Sequence, residues 1–182
     1  MNANTATSHY PAAPVAQGVE SRTLCVLVDN EPGVLARVIG LFAGRGYNID
    51  SLTVSETEHE KHLSRITVVT RGTPMVIEQI KNQLDRLVPV HRVVDLTSSG
   101  PSLQRELAMV KVRGKGENRV ETLRLAEAFK AKVIDATIES FIFEITGAPR
   151  KIDDFVELMR PIGLVEVSRT GIAAISRGAE PI

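Results

Sequence analysis

The chain is poor in the residues on which most specialised functions draw. One cysteine, Cys25, stands in 182 residues, which excludes an intrachain disulfide and a multi-thiolate metal centre and fits a reducing compartment. Trp is absent, and five Phe and two Tyr leave aromatics at 4%, too few for base-stacking platforms or aromatic cages. Neither charge sign is in excess: 22 Lys and Arg stand against 22 Asp and Glu. That removes the broad attraction on which binding to nucleic acid or an anionic membrane rests. No apolar run approaches the roughly 20 residues of a membrane-spanning helix. What is present, 43% hydrophobic and 24% charged residues, describes a globular protein of one large or two small domains.

Residues 1–21, MNANTATSHYPAAPVAQGVES, are small, polar and proline-interrupted, with no Lys or Arg. The charged start and apolar stretch of a secretory signal are missing, as is the Arg-rich amphipathic pattern of a transit peptide. Scattered apolar residues cannot offset the entropy of ordering, so this segment reads as a disordered tail on a cytoplasmic protein.

From residue 22 one pattern runs twice. Thr23–Val28 is a short β-branched, apolar run, hence a buried strand. Asp29–Gly33 breaks it with turn and cap residues. Val34, Leu35, Val38, Ile39, Leu41 and Phe42 then recur at helical spacing, and Gly44 and Gly46 stop the helix, Gly46 as a left-handed cap. Strands follow at Ile49–Ser55 and Leu63–Thr70, a helix opens at Pro74, and Val90–Leu96 closes a βαββαβ unit over 22–97. Ser98–Pro101 is a linker by composition. In 98–182 the order recurs: strand Leu107–Val112, helix Arg119–Ala131 with Val120, Leu123 and Ala126–Ala128 inward, strands Val133–Ile138 and Ser140–Ile145. A helix through Ile152, Phe155, Val156 and Met159 and a strand Val165–Ile175, broken at Gly171, complete it.

The fold class is therefore α+β: two ferredoxin-like units, each a four-stranded antiparallel sheet with two helices on one face. Units this small are marginal alone, which favours packing of one on the other, or a dimer. The second strand is an edge, and pairing with its own copy across a two-fold axis would cover it.

Asp29–Leu35 carries the chemistry. It joins a buried strand to a helix N-terminus, where about four backbone N–H groups lack intrahelical partners and the dipole is positive. Gly33 has no Cβ to keep a ligand away, and the Asn30 amide can cap the helix or bond a ligand. Such a loop suits a carboxylate. The plainer reading of the same residues is a capped helix start with Pro32 in the first turn. Asn48, just before the apolar Ile49, is a polar amide that a turn alone would also explain.

The runs N-x-P-G-V-L (Asn30–Leu35), R-V-I-G-L-F (Arg37–Phe42) and R-G-Y-N-I-D-S-L-T-V (Arg45–Val54) resemble the ACT domain of the regulatory (small) subunit of acetolactate synthase, also called acetohydroxyacid synthase. L-S-R-I-T (Leu63–Thr67), S-R-T-G (Ser168–Gly171) and S-R-G (Ser176–Gly178) look like the same subunit, so the resemblance covers 22–178. It implies a chain with no active site and no cofactor of its own. Such a chain binds and activates a separate catalytic subunit, which would hold thiamine diphosphate, Mg and FAD. It also confers feedback inhibition by a branched-chain amino acid, usually valine. Carried over, Asn30, Gly33, Val34 and Leu35 supply one wall of an effector site between two ACT domains, with the turn's N–H groups on the carboxylate. Asn48 and Ile49 of the other subunit supply the facing wall. The polar tail departs from the many members that lack it.

Other signals are weaker. His59 and His62 with Glu56, Glu58 and Glu60 form a solvated link with no spacing to converge metal ligands. Gly114–Gly116 lacks the rest of a P-loop and reads as a strand-to-helix turn. Cys25 lies in an apolar strand, with no base nearby in sequence to activate it. Arg169 and Arg177 are either solvated or contacts to a partner. An RNA-binding module shares the βαββαβ order but needs aromatics in its first and third strands, and these have none. A stand-alone enzyme needs a nucleophile–base pair or converging carboxylates, and none is visible.

Overall fold

A computed structural model describes residues 18–58 and 62–182. Most of the expected tail, 1–17, and His59, Glu60 and Lys61 of the polar link lie outside the described residues. The first unit comprises β1 (Glu20–Asp29), α1 (Val34–Gly44), β2 (Ser51–Glu58), β3 (Leu63–Gly72), α2 (Pro74–Leu84) and β4 (Val90–Asp95). Its sheet is antiparallel in the order β2-β3-β1-β4, so the first and third strands are central. Alternation along β1 and β3 sends Leu24, Val26, Val28, Ile66 and Val68 to one face, where they meet Val38 and Phe42 of α1 and Ile77, Ile80 and Leu84 of α2. Thr73 caps α2, its hydroxyl accepting the Val76 N–H at 3.4 Å, with Pro74 at the first helical position.

The second unit repeats the plan with β5 (Ser102–Arg113), α3 (Glu117–Ala128), β6 (Lys132–Ala136), β7 (Ser140–Gly147), α4 (Pro149–Gly163), β8 (Leu164–Arg169) and β9 (Ala173–Ser176). The order β6-β7-β5-β8 is the same arrangement of edge and central strands. Phe143 and Phe155 are fully buried and meet edge-on, with ring centroids 6.2 Å apart, while Phe129 lies 5.4 Å from Phe155.

Several boundaries differ from the sequence reading. In α3, Ala126 faces the core as expected, but Val120, Leu123 and Ala128 are exposed, and Thr122, Leu125 and Phe129 complete the inward face with Ala126. These positions form an i, i+3, i+4, i+7 stripe, and buried Thr122 satisfies its hydroxyl on the Asn118 carbonyl at 2.7 Å. The expected strand 165–175 is two strands, because Gly171 sits at φ +86 and turns the chain out of the sheet. The first strand of the second unit also starts five residues early, at Ser102 rather than Leu107.

That early start has a structural reason. Ser102–Arg105 pairs with β9, and this two-stranded ribbon lies over the face of the first sheet that α1 and α2 leave bare. Cys25 and Ala174 are buried there with Leu96, and Val94, Ile172 and Ile182 pack around them. A βαββαβ unit covers one face of its sheet with helices; here the second unit supplies cover for the other.

Two outcomes follow. Phe155→Ala should lower the unfolding free energy by about 3–5 kcal/mol, measured by urea denaturation, since it empties the centre of the second core. Burial pushes the Cys25 thiol up, with Arg65 beside it opposing in part. Iodoacetamide should therefore label the native chain far more slowly than the guanidinium-unfolded chain at mildly alkaline pH. Because folding raises this group's proton affinity, its contribution is complete below the ordinary thiol range and is lost as pH rises through the folded value.

Candidate functional site

The loop between β1 and α1 is braced on both sides. The Asn30 N–H donates to the His62 carbonyl at 2.7 Å, the Asp29 N–H to Pro89 at 2.9 Å, and the Asp29 carboxylate meets His91 Nε2 at 2.6 Å. Gly33 is the N-cap of α1 at φ +87, ψ −10, and its carbonyl accepts the Arg37 N–H at 3.1 Å. A side chain would be strained in that left-handed conformation. The Asn30 side chain does not cap the helix, contrary to one of the two sequence readings. The Asn30 N–H is pinned to His62, in the turn just before β3, and the cap falls at Gly33, three residues on. Among the described residues no side chain caps α1 and no acidic residue occupies its first turn. The Val34 N–H donates to the Glu31 carbonyl at 3.4 Å, but no side chain among the described residues compensates this positive end; the space over Gly33 is open, with nothing within 4 Å of a Cβ placed there.

The four residues expected at this wall divide by what they present. Asn30 and Gly33 are exposed. The Val34 side chain is buried in the first core and offers only its backbone, whereas Leu35 is 36% exposed on the outer face of α1.

The other wall lies past the opposite end of α1. The Gly46 N–H bonds to Ala43 at 3.3 Å and the Tyr47 N–H to Phe42 at 3.0 Å, the two closing bonds of a Schellman motif, and Tyr47 packs edge-on to Phe42. Asn48 then emerges exposed. Its Nδ2 donates to Asp50 Oδ1 at 2.6 Å, its carbonyl accepts the Thr70 hydroxyl at 2.6 Å, and Asp50 Oδ2 is paired with Arg71 Nε at 2.7 Å. Ile49 is half-buried against the first core rather than in β2, which begins at Ser51.

One chain therefore holds both candidate segments but does not bring them together. They flank an 11-residue helix, which at 1.5 Å per residue separates them by about 16 Å. A cleft of about 760 Å³ lies elsewhere, between the units. Asp50 and Arg71 line it from the first unit, Glu106, Asp153 and Arg169 from the second. Arg169 is thus neither simply solvated nor a free contact: it pairs with buried Glu106 and, at 2.7 Å, with Asp153. Partial burial lowers its proton affinity, but the hydrogen bonds to Glu106 and Asp153 outweigh this and hold it above the ordinary guanidinium value.

Sequence reasoning missed the residues that tie this region to the second unit. Ser51 Oγ accepts the Ile172 N–H at 2.9 Å, Thr53 Oγ1 donates to the Ile172 carbonyl at 3.0 Å, and Arg65 donates to the Ala174 carbonyl at 2.6 Å. The available signal was two hydroxyls at strand spacing in R-G-Y-N-I-D-S-L-T-V. It gave no partner, because the partner lies more than a hundred residues away.

Comparison with known proteins agrees with this architecture. Residues 24–92 match the AHAS small subunit-like ACT domain, and residues 105–178 match the family described as the small subunit of acetolactate synthase. The acetolactate synthase small subunit of Mycolicibacterium smegmatis is 39% identical over 168 residues, spanning 92% of this chain and 98% of that protein. The isozyme 3 small subunit of Escherichia coli is 44% identical over 158 residues, 86% and 96% of the two chains. The crystal structure of the Thermotoga maritima small subunit superposes with a TM-score of 0.79 at 39% identity, covering 88% of this chain and 99% of that one. The ACT-type first unit, the ferredoxin-like second unit and these matches along nearly the whole described chain place it in one family: the chain belongs to the small, regulatory subunits of acetolactate synthase.

Proposed function

We propose that this chain binds and activates the acetolactate synthase catalytic subunit and makes it subject to feedback inhibition by a branched-chain amino acid, with valine the first candidate. The observation that carries the reading is the placement of the two site segments at opposite ends of α1. A second copy running antiparallel across a two-fold axis brings the Asn30–Leu35 loop of one protomer to the Asn48–Ile49 segment of the other, giving two equivalent sites per dimer. The outer face of α1 is dressed for such contact, with Leu35 and Ile39 exposed alongside Ala36, Gly40 and Ala43, and β2 is an edge strand.

Within that site each group has a task its chemistry fits. The uncapped first turn of α1 receives the amino-acid carboxylate on backbone N–H groups. Asn48 has committed one of its two amide donors to Asp50, and its Oδ1, without a protein partner among the described residues, accepts from the effector ammonium. Leu35 and Ile49 enclose the branched side chain.

Gly33→Asp places a carboxylate where the effector's must sit and forces a β-carbon into a left-handed backbone. It should abolish valine sensitivity of the reconstituted enzyme while leaving its basal activity. Asn48→Ala should raise the valine midpoint by about tenfold, the loss of one charge-assisted hydrogen bond. Isothermal calorimetry with valine, leucine and isoleucine reads both variants directly. Full valine sensitivity in Gly33→Asp complexes would falsify the assignment of the site.

A further inference from the structure

The S-R-T-G run, Ser168–Gly171, is not used by the effector site, yet every residue in it from Arg169 onward is engaged. Arg169 binds Glu106 at the start of the shared β5–β7 ladder and Asp153 on α4. The Thr170 N–H donates to the Leu107 carbonyl at 3.0 Å, and its Oγ1 accepts the Leu107 N–H at 3.1 Å. Gly171, at φ +86, then lies so close to the first unit that a β-carbon would stand 2.9 Å from Thr53 Cγ2 and 3.0 Å from Ser51 Oγ. Ile172 follows, with its N–H held by Ser51 and its carbonyl by Thr53. Ser51 and Thr53 are two residues apart on one face of β2, so they grip a single peptide residue from both sides.

β2 is also the strand into which the effector segment runs. Asn48 is fixed to Asp50, Asp50 to Arg71 and to the Val69 carbonyl, and Ser51 is the next residue. We infer that the Ser51–Thr53 grip on Ile172 is the coupling element through which effector occupancy at Asn48 reaches the second unit. This inference rests on the effector reading above. A ligand that draws on Asn48 moves the start of β2. The grip delivers that movement to Ile172, and Thr170 and Arg169 pass it to the centre of the second sheet and to α4. Coupling of this kind is reciprocal: the state of the second unit sets effector affinity by the same factor that the effector sets the state of the second unit.

The test uses the full chain reconstituted with the catalytic subunit, with valine as the probe. Three quantities are measured: valine binding heat, valine inhibition and hydrogen exchange of the amides in 170–176. In the wild type, saturating valine should change exchange at Ile172 by threefold or more. The double variant Ser51→Ala/Thr53→Val should still activate the enzyme and still give saturable valine heat, but lose the exchange response and need about tenfold more valine for inhibition. Ser51→Thr, which keeps the hydroxyl, should retain the response and so separates the grip from general loosening of β2. Valine heat without an exchange change in the wild type overturns the coupling alone, as does wild-type inhibition in the double variant. Absence of valine heat in the wild-type complex overturns the effector reading, and the coupling with it.

Discussion

The length of α1 governs how this protein can work. Both ends of the helix are built firmly, one by a glycine in the left-handed region at the N-cap and the other by a complete Schellman motif. Between them the helix is rigid, and about 16 Å of it separates the anion-receptive turn from the amide that would face an ammonium group. A free amino acid is far shorter than that. On the proposed reading a single chain would therefore present two half-sites, and a dimer would be a requirement of the binding chemistry. The cleft between the two units, lined by Asp50, Arg71, Glu106, Asp153 and Arg169, is separate from the β1–α1 loop.

A second constraint is the bare face of the βαββαβ sheet. In the first unit Thr23, Cys25 and Thr67 point away from the helices, and the β5–β9 ribbon covers them. This cover joins two otherwise separate cores through hydrogen bonds from Ser51 and Thr53 of β2 and Arg65 of β3. The second sheet has no such cover among the described residues: Met109 is exposed on it, and every residue of its edge strand β6 is exposed. The two copies of one fold thus differ in role, the first closed by its neighbour and the second left open.

The fold was legible where local chemistry and tertiary packing agree. β1 and β3 are rich in β-branched and apolar residues because both are central strands, and α1 and α2 carry apolar stripes because each has one core to face. Reading failed where the stripe was weak. In α3 the inward positions include a threonine and an alanine, and the larger Val120 and Leu123 point outward, so hydrophobicity alone pointed to the wrong face. The turns that bound α1 were legible because a helix terminus carries its own signal in glycine, proline and asparagine. Whether Asn30 caps the helix or faces a ligand was not, since both uses need the same amide. The Ser51–Ile172 contact was beyond reach, because hydroxyls on a strand face announce a bond without naming the partner.

Energetic scale connects the two constraints. A carboxylate at an uncapped helix end gains on the order of 1 kcal/mol from the dipole, more where solvent is partly excluded. The typical coupling between allosteric sites, 1–3 kcal/mol, is of the same size. In the proposed site, an effector held by one helix end and one amide would have little free energy to spare, and a compliant route would dissipate it. The path from the proposed site is correspondingly short and stiff. Asn48 is bonded at both its side chain and its carbonyl, and the strand it enters has two hydroxyls closed on one peptide of the second unit. That peptide leads directly to an arginine anchored on a buried glutamate. Each step is a directional hydrogen bond of about 3 Å or less, or an ion pair, and such contacts transmit displacement far better than side chains sliding in an apolar core. The placement of Gly171 fits the same demand, because any side chain there would open the grip and lengthen the path.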